Sequence, residues 1–468
     1  SMINKENEAY IFMKKIKNMK KKRKHYYSSL VGMLILITCL LFSGKTYADS
    51  DTSEEAVSLS MNQSGSDDPD RKEPETAEPE AAESEVRETE SSELVDEYDI
   101  TLMAVGDNLL HMGIVNTGKQ SGGTRNYDFL FDGIRDFLEK ADIKIINQET
   151  IFGGNQLGFH GYPKFNSPSE VSDAIAKAGF NVVLQATNHT ADQGLSGIQN
   201  CLELWKTHPE VLVAGLHEPF TDQTQSRISL LEINGCTFAF LNYTYGPNSA
   251  SISASIADRL DILCAVNETS RMIDFTTINP QVLTDIAAAD TLADIVIVCP
   301  HWGTEYATVP STYQEKFAMQ MTEAGADLII GTHPHVVQPI TWVEADNGNR
   351  SLCYYSLGNY VSTQQNAKSM LEGLAWVTFH VTGNSISISE ETTGVIPLVC
   401  HYSSGPVRFK NIYLLENYTE TLARSHGIIY YGGVAFHLNS LQKWSDEILG
   451  SWVLSAEKIN QQYYAHPE

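Results

Sequence analysis

Five short apolar runs, each closed by a cluster of polar residues, constrain this chain more than any other feature. Residues 100–105 lead into Gly106-Asp107, 142–146 into Asn147-Gln148-Glu149, and 182–184 into Thr187-Asn188-His189. Residues 295–299 lead into His301-Trp302-Gly303, and 328–330 into Gly331-Thr332-His333-Pro334-His335. Runs this short and β-branched, interrupted only at Thr101, Asp142 and Lys144, read as strands buried on both faces. Helical segments separate them: 129–140, a helix opened by Ser167-Pro168-Ser169-Glu170 and closed at Gly179, one from Asn279-Pro280 through Ala289, and one capped by Ser311 or Thr312 that ends near Gly325. Proline in the first turn and glycine just past the end are the expected terminal signals. The alternation predicts an α/β fold of parallel-type strands covered by helices.

Ligands of open α/β sheets gather at the carboxyl ends of strands. The pattern therefore brings Asp107, Glu149, Asn188, His301, His333 and His335 to one rim, although they span more than two hundred positions. Two carboxylates, an amide and three imidazoles, with no thiolate, suit Mn, Fe or Zn. A carboxylate bridging two such ions allows a binuclear centre that activates water and stabilises charge on a phosphoryl or acyl oxygen. His189, beside Asn188, is placed to act as acid or electrostatic partner of a leaving group. Glu305, just past His301-Trp302-Gly303, is expected to face the cleft. Asn359, after the run 352–355, is expected to orient a ligating histidine from behind.

Charge divides the chain into three zones. The 468 residues carry a formal net charge of −26, which disfavours nucleic acid as a partner. Residues 1–48 contribute +8, residues 49–99 contribute −16, and the remainder −18. In the first zone a cationic block from Lys14 to Lys24 precedes an apolar run over 30–42, shorter than the roughly 20 residues of a bilayer span. With Thr46-Tyr47-Ala48 as a cleavage site, 1–48 reads as a signal peptide or an N-terminal membrane anchor, and localisation is expected outside the membrane. Gly44-Lys45-Thr46 imitates the end of a phosphate-binding loop but lacks its first glycine, since position 39 is Cys39. Residues 49–98, rich in Glu, Ser, Asp, Pro and Thr, lack the apolar surface to offset ordering entropy and read as a disordered acidic linker.

The foldable part starts at residue 99. Its six cysteines are widely spaced, with no Cys-x-x-Cys pair, so a cysteine zinc site is not expected. The segment 401–468, with a single amphipathic helix over 438–462, is expected to pack as an extension on the core.

Gly106-Asp107, Asn147-x-Glu149, Asn188-His189, His301-Trp302-Gly303, Gly331-Thr332-His333-Pro334-His335 and Ser356-Leu357-Gly358-Asn359 resemble, in order and spacing, the CapA family of capsule and poly-γ-glutamate synthesis proteins. That family is itself similar to the calcineurin-like metallophosphoesterases. The resemblance covers residues 99–400 and implies a four-layer α/β/β/α sandwich. It also implies that Asp107 and His335 hold one ion, that Asn188, His301 and His333 hold the other, that Glu149 bridges them, and that His189 lies near substrate. Position 109, where the phosphoesterase pattern has histidine, is Leu109; the nearest imidazole is His111, and Glu149 replaces the usual aspartate.

Two functions follow as expectations. One is a metal-dependent hydrolase acting on a phosphoester or an acyl/amide bond of an envelope polymer or its precursor. The other is a non-catalytic polymer-binding or assembly component of a membrane synthase or export complex. A folded part at −18 repels polyanions beyond a Debye length of roughly 8 Å, so an anionic polymer needs a local cationic cleft, which two divalent ions supply.

Overall fold

In this computed structural model the described residues are 97–221, 226–431 and 434–465, all within the unit Val95–Glu468. The expectations for the signal segment 1–48 and for nearly all of the acidic linker lie outside the described residues. Strands β1 (Glu97–Asn108), β2 (Ile143–Asn147), β3 (Val182–Leu184) and β4 (Leu212–Ala214) run parallel, side by side. They are followed by β5 (Ser229–Ile233), β6 (Cys236–Thr244), the hairpin β7 (Cys264–Val266) and β8 (Ile273–Ile278), β9 (Ile295–His301), β10 (Leu328–Ile330), β11 (Ile340–Glu344) and β12 (Arg350–Tyr354). The last are β13 (Asn359–Val361), β14 (Leu371–Thr382), β15 (Ser385–Ile388), β16 (Gly394–Ser403) and β17 (Arg408–Leu414).

Among the described residues these strands form a nine-stranded sheet ordered β17-β16-β14-β1-β2-β3-β4, with β13 on β1 and β15 on β14, and a six-stranded sheet ordered β11-β12-β10-β9-β6-β5. The sheets are mixed. β6, β9, β10 and β12 are parallel, whereas β5, β11, β14, β16 and β17 pair antiparallel. Alternate residues of both sheets enter one apolar cluster: Leu102 and Ala104 of β1 join Phe240, Ile297 and Tyr354 of the other sheet. Phe238 of β6 meets Phe379 of β14 edge-on at 5.2 Å between ring centroids. The intervening residues, Met103, Val105, Val296 and Val298, pack with helix residues such as Ile175, Ile286 and Met321.

The helices end where the sequence signals place them. Asn279 caps Pro280–Leu292 by accepting from the Gln281 amide. Ser311 and Gln314 form a reciprocal capping box on Thr312–Ala324, a device worth about 1 kcal/mol. Gly179 and Gly325 close their helices in the left-handed conformation, at φ 92° and 118°.

Three expectations change. The helix expected over 129–140 is a 3-10 turn, Asp128–Ile134, followed by the helix Arg135–Lys140; Gly133 lies so close to β17 that a Cβ there would meet the Ile412 carbonyl oxygen at 2.0 Å. The helix expected over 438–462 is two, Leu438–Ile448 and Ala456–Ala465, parted by Gly450 at φ 56°. The boundary expected between 400 and 401 falls inside β16, so the C-terminal segment contributes strands to the larger sheet rather than lying on it.

Candidate metal centre

Each conspicuous polar residue sits at or just past the carboxyl end of a parallel strand. Asp107 is in register with Asn147 of β2 on one side and Asn359 of β13 on the other. The Asp107 amide donates to the Gly358 carbonyl at 3.0 Å, and Gly106 must be glycine because a Cβ there would lie 2.0 Å from that same oxygen. His301 ends β9, and its backbone bridges to Thr332 beyond β10. His333 and His335 both take left-handed backbone conformations, φ 96° and 58°. For non-glycine residues this costs of order 1–2 kcal/mol each. The bend turns both imidazoles of His333-Pro334-His335 toward one centre, with the rings 5.7 Å apart. The His333 amide donates to Asp107 Oδ2 at 3.2 Å, which helps to hold it.

Two groups of donors result, Glu149–His301–His333 and Asp107–Glu149–His335, all buried, each with its ligand atoms within 4.8 Å of one another. Two donors facing each other through an ion bound at roughly 2.1 Å are separated by roughly 4.2 Å. Asn188 joins the first group, its Oδ1 lying 3.0 Å from His301 Nε2. Glu149 belongs to both. His301 Nε2 is 4.0 Å from Glu149 Oε1, and His335 Nε2 is 3.7 Å from it.

The electrostatics favour a cation. Among the described residues, both Glu149 oxygens are fully buried without a hydrogen-bond partner, as is His333 Nδ1, and burying an uncompensated carboxylate costs several kcal/mol. Burial, reinforced by Asp107, pushes the Glu149 carboxyl well above the usual range. Burial, then neighbouring imidazoles, hold His301 and His333 well below the usual imidazole value and keep their lone pairs available. At His335 burial acts downward, but Glu149 and Asp107 outweigh it and raise the group to about 9. Orphaned carboxylate oxygens and neutral imidazoles in one buried cluster fit a divalent ion as their missing partner, and such an ion would take the place of the His335 proton.

The remaining candidates surround these groups. Asn147 donates to Asp107 Oδ1 at 2.7 Å and lies 3.5 Å from His301 Nδ1. Asn359 Oδ1 is 3.0 Å from His335 Nδ1, so that His335 Nε2 faces Glu149. His189 is 5% exposed and sets Nδ1 2.7 Å from Asp192 Oδ2, while Nε2 takes no hydrogen-bond partner among the described residues. His111 accepts from the Thr363 amide at 3.4 Å, and burial, with His335 adding, lowers it to about 4. The Phe165 ring meets both His111 and His189 edge-on. Glu305 is exposed at the rim and belongs to neither donor group. Leu109 is buried, and its amide is spent on the Val361 carbonyl, so the Asp107 group has three residues where the phosphoesterase pattern adds a histidine.

The sequence reading missed three residues. Asn248 accepts from Asn188 Nδ2 at 3.1 Å, which orients that candidate, and its own Nδ2 lies 3.4 Å from His189 Nδ1. Its loop carries no motif that marks it. Asp192, three residues after His189, was detectable as a carboxylate one turn away. Tyr245, with its ring 4.7 Å from His333, had no signal beyond its strand-end position.

The profile of the family described as bacterial capsule synthesis protein PGA_cap matches residues 101–364, a span that contains every donor above. The chain belongs to this family. PGA_cap is a metallophosphoesterase-like family. Among relatives, the capsule biosynthesis protein CapA of Bacillus anthracis is 28% identical over 308 residues, which cover 64% of this chain and 67% of that protein. The PGA biosynthesis protein CapA of Bacillus subtilis (strain 168) is 33% identical over 292 residues, 62% of this chain and 69% of that protein. Among solved structures, a hypothetical protein from Thermus thermophilus aligns with TM-score 0.36 and 16% identity over 64% of this chain and 99% of its own, too distant to bear on fold or activity.

Proposed function

We propose that this PGA_cap protein is an exported, cell-surface hydrolase with a binuclear divalent centre, of Mn, Fe or Zn, and a four-layer α/β/β/α sandwich of metallophosphoesterase type. Its substrate is a phosphoester or acyl/amide bond in an envelope polymer or its precursor. The observation that carries this reading is Glu149, whose two buried, unpartnered oxygens serve both donor groups. Asp107, Glu149 and His335 would hold one ion, and Glu149, Asn188, His301 and His333 the other. Bound ions supply Lewis acidity, which acidifies water and stabilises negative charge at the reacting centre.

The chain's own groups supply orientation and proton transfer. Asp192 fixes the His189 imidazole through Nδ1, so Nε2 is the nitrogen able to give a proton to the leaving oxygen or nitrogen as water adds. Asn248 and Thr332 keep Asn188 and His301 in place, at 3.1 and 2.9 Å. Phe165 and Tyr245 wall the site with aromatic surface and limit water around His189 and His333.

The test is metal analysis of the purified full chain after gel filtration, with turnover measured on phosphomonoester, phosphodiester and γ-glutamyl substrates. Stoichiometric Mn, Fe or Zn with turnover lost in His335→Ala and Asp107→Ala is expected. A chain that retains no metal and gains no activity when metals are supplied sinks the reading.

One observation favours a second reading. Leu109 leaves the Asp107 group a donor short, which suits a polymer-binding or assembly component of a membrane synthase or export complex. In that case polymer display survives loss of the ligands.

A further inference from the structure

Among the described residues five non-glycine residues take a positive φ, and three of them meet beside the metal centre: His333, His335 and Tyr306, the last at 64°. A bulky side chain in that conformation is strained, and such strain gathers at functional sites. At the two histidines it aims the rings. Tyr306 stands outside both donor groups, and its strain calls for another account.

Tyr306 grips the His335 turn from two directions. Its amide donates to the Pro334 carbonyl, between the two histidines, at 2.7 Å. Its hydroxyl accepts from Gln364 Nε2 at 3.3 Å. Gln364 Oε1 in turn accepts from Asn359 Nδ2 at 3.1 Å, and Asn359 Oδ1 faces His335 Nδ1 at 3.0 Å. Hydrogen bonds therefore run in a closed loop from the backbone of the turn, through Tyr306, Gln364 and Asn359, back to the His335 ring. The loop is anchored from behind. The Gln364 carbonyl accepts from the Tyr402 hydroxyl at 2.9 Å, its amide donates to Ser362 Oγ at 2.9 Å, and Asn359 Nδ2 also donates to the Ser369 carbonyl at 3.1 Å. The Tyr306 ring, 6.1 Å from the His335 ring, closes the outer side.

The order of donors gives the loop a direction. Asn359 spends its Nδ2 on Gln364 and Ser369, so the atom it turns to His335 can only accept. His335 therefore keeps its proton on Nδ1, and Nε2, 3.7 Å from Glu149 Oε1, is the nitrogen open to an ion. Asp107 Oδ2 is 3.2 Å from the same Nδ1, but a bound ion would claim Asp107, which leaves Asn359 to fix the ring. We propose that Tyr306 and Gln364 are positioning residues of the metal centre, which act through Asn359 to hold the His335 imidazole with Nε2 toward the Asp107–Glu149 pair. The inference rests on the metal reading above.

Full-length Tyr306→Phe, Gln364→Met and the double variant test it, each titrated with Zn²⁺ against a competing chelator. Tyr306→Phe keeps the ring, the amide and the strained backbone and removes only the hydroxyl. Zn²⁺ at the Asp107–Glu149–His335 group should bind about three- to tenfold more weakly, the net worth of one hydrogen bond, with the Glu149–His301–His333 group unchanged. The denaturant midpoint of the metal-free chain should not move, because the Tyr306–Gln364 contact is exposed. The double variant should lose no more than Gln364→Met alone, since both act through one chain of bonds. Solvent exchange of the His335 Nδ1 proton, read by nitrogen NMR on the metal-free chain, should quicken in the same variants. Unchanged affinity with unchanged exchange overturns the proposal and leaves the metal reading standing. A wild type that binds no Zn²⁺ sinks the metal reading instead, and the exchange rates then decide whether Tyr306 and Gln364 hold the ring. A shifted midpoint with equal weakening of both groups makes Tyr306 merely structural and overturns the proposal as well.

Discussion

Asn188 Oδ1 lies 3.0 Å from His301 Nε2, although the two residues are 113 positions apart and follow strands of different sheets. An amide oxygen and an imidazole nitrogen held this close are placed as neighbouring donors to one ion. Asn188→Ala is expected to weaken metal at the Glu149–His301–His333 group by at least roughly 10–100-fold, the range for outer-shell losses, while His335→Ala empties the Asp107 group instead. Elemental analysis during stepwise chelation separates the two. Simultaneous loss of all metal in Asn188→Ala would show that the groups do not load independently.

The short contact between His189 and Asp192 predicts a kinetic effect without a metal effect. Asp192→Asn keeps the shape of the pair but removes the charge that fixes the imidazole. Turnover should fall by roughly 10²–10⁴ with metal content unchanged. Wild-type turnover in Asp192→Asn would remove His189 from the proton-transfer role.

Gly106→Ala forces a methyl group to within 2.0 Å of the Gly358 carbonyl oxygen. Backbone on both sides has no rotamer with which to escape, so a loss of more than about 3 kcal/mol is expected. Denaturant midpoints give the stability, and metal content reports whether Asp107 has moved. An unperturbed midpoint would mean that β1 and the 356–359 turn can separate at little cost.

His426 predicts acid sensitivity of the C-terminal segment. Its Nδ1 accepts from the Ile428 amide at 3.0 Å and its Nε2 reaches the Cys400 carbonyl at 2.9 Å, so the neutral ring is fully used. Burial lowers the group to about 3, and neighbouring His401, its ring centroid 4.8 Å away, is lowered by burial to about 4. Folded values below the unfolded 6.5 mean that the unfolded chain binds more protons, so this stability is complete above about pH 6.5 and is lost as pH falls toward 3. The His426 contribution alone amounts to about 2 kcal/mol of loss by about pH 5. Denaturation curves at about pH 7.5 and about pH 5 measure it, and His426→Phe should flatten the difference. A pH dependence identical in wild type and His426→Phe would place the sensitivity elsewhere.

What the sequence showed and what it hid have physical reasons. β3, β9 and β10 were legible because parallel strands covered on both faces are unbroken apolar runs, and β2 is broken only by Lys144, so polar residues at their ends stand out. The six residues read at those strand ends lie together in the structure. β14 was not read as a strand of the sheet that β1 opens, because its antiparallel partner β1 lies at the other end of the folded part and no local period reveals that pairing; β16 and β17 join the sheet only through β14. Asn248 was invisible for a related reason, since its contacts with Asn188 and His189 come from a loop between β6 and β7 with no distinguishing spacing. The break at Gly450 was readable in principle, but the apolar period on its two sides stays in phase and hides the left-handed turn.

Because donors to the Glu149 groups hang from both sheets, any ion held there closes a ring that runs through the two of them. Binding free energy is then shared with the alignment of the sheets. If the proposed ions are bound, starving the chain of metal is expected to lower its folded population, and the abundance of intact protein becomes a readout of divalent-ion supply.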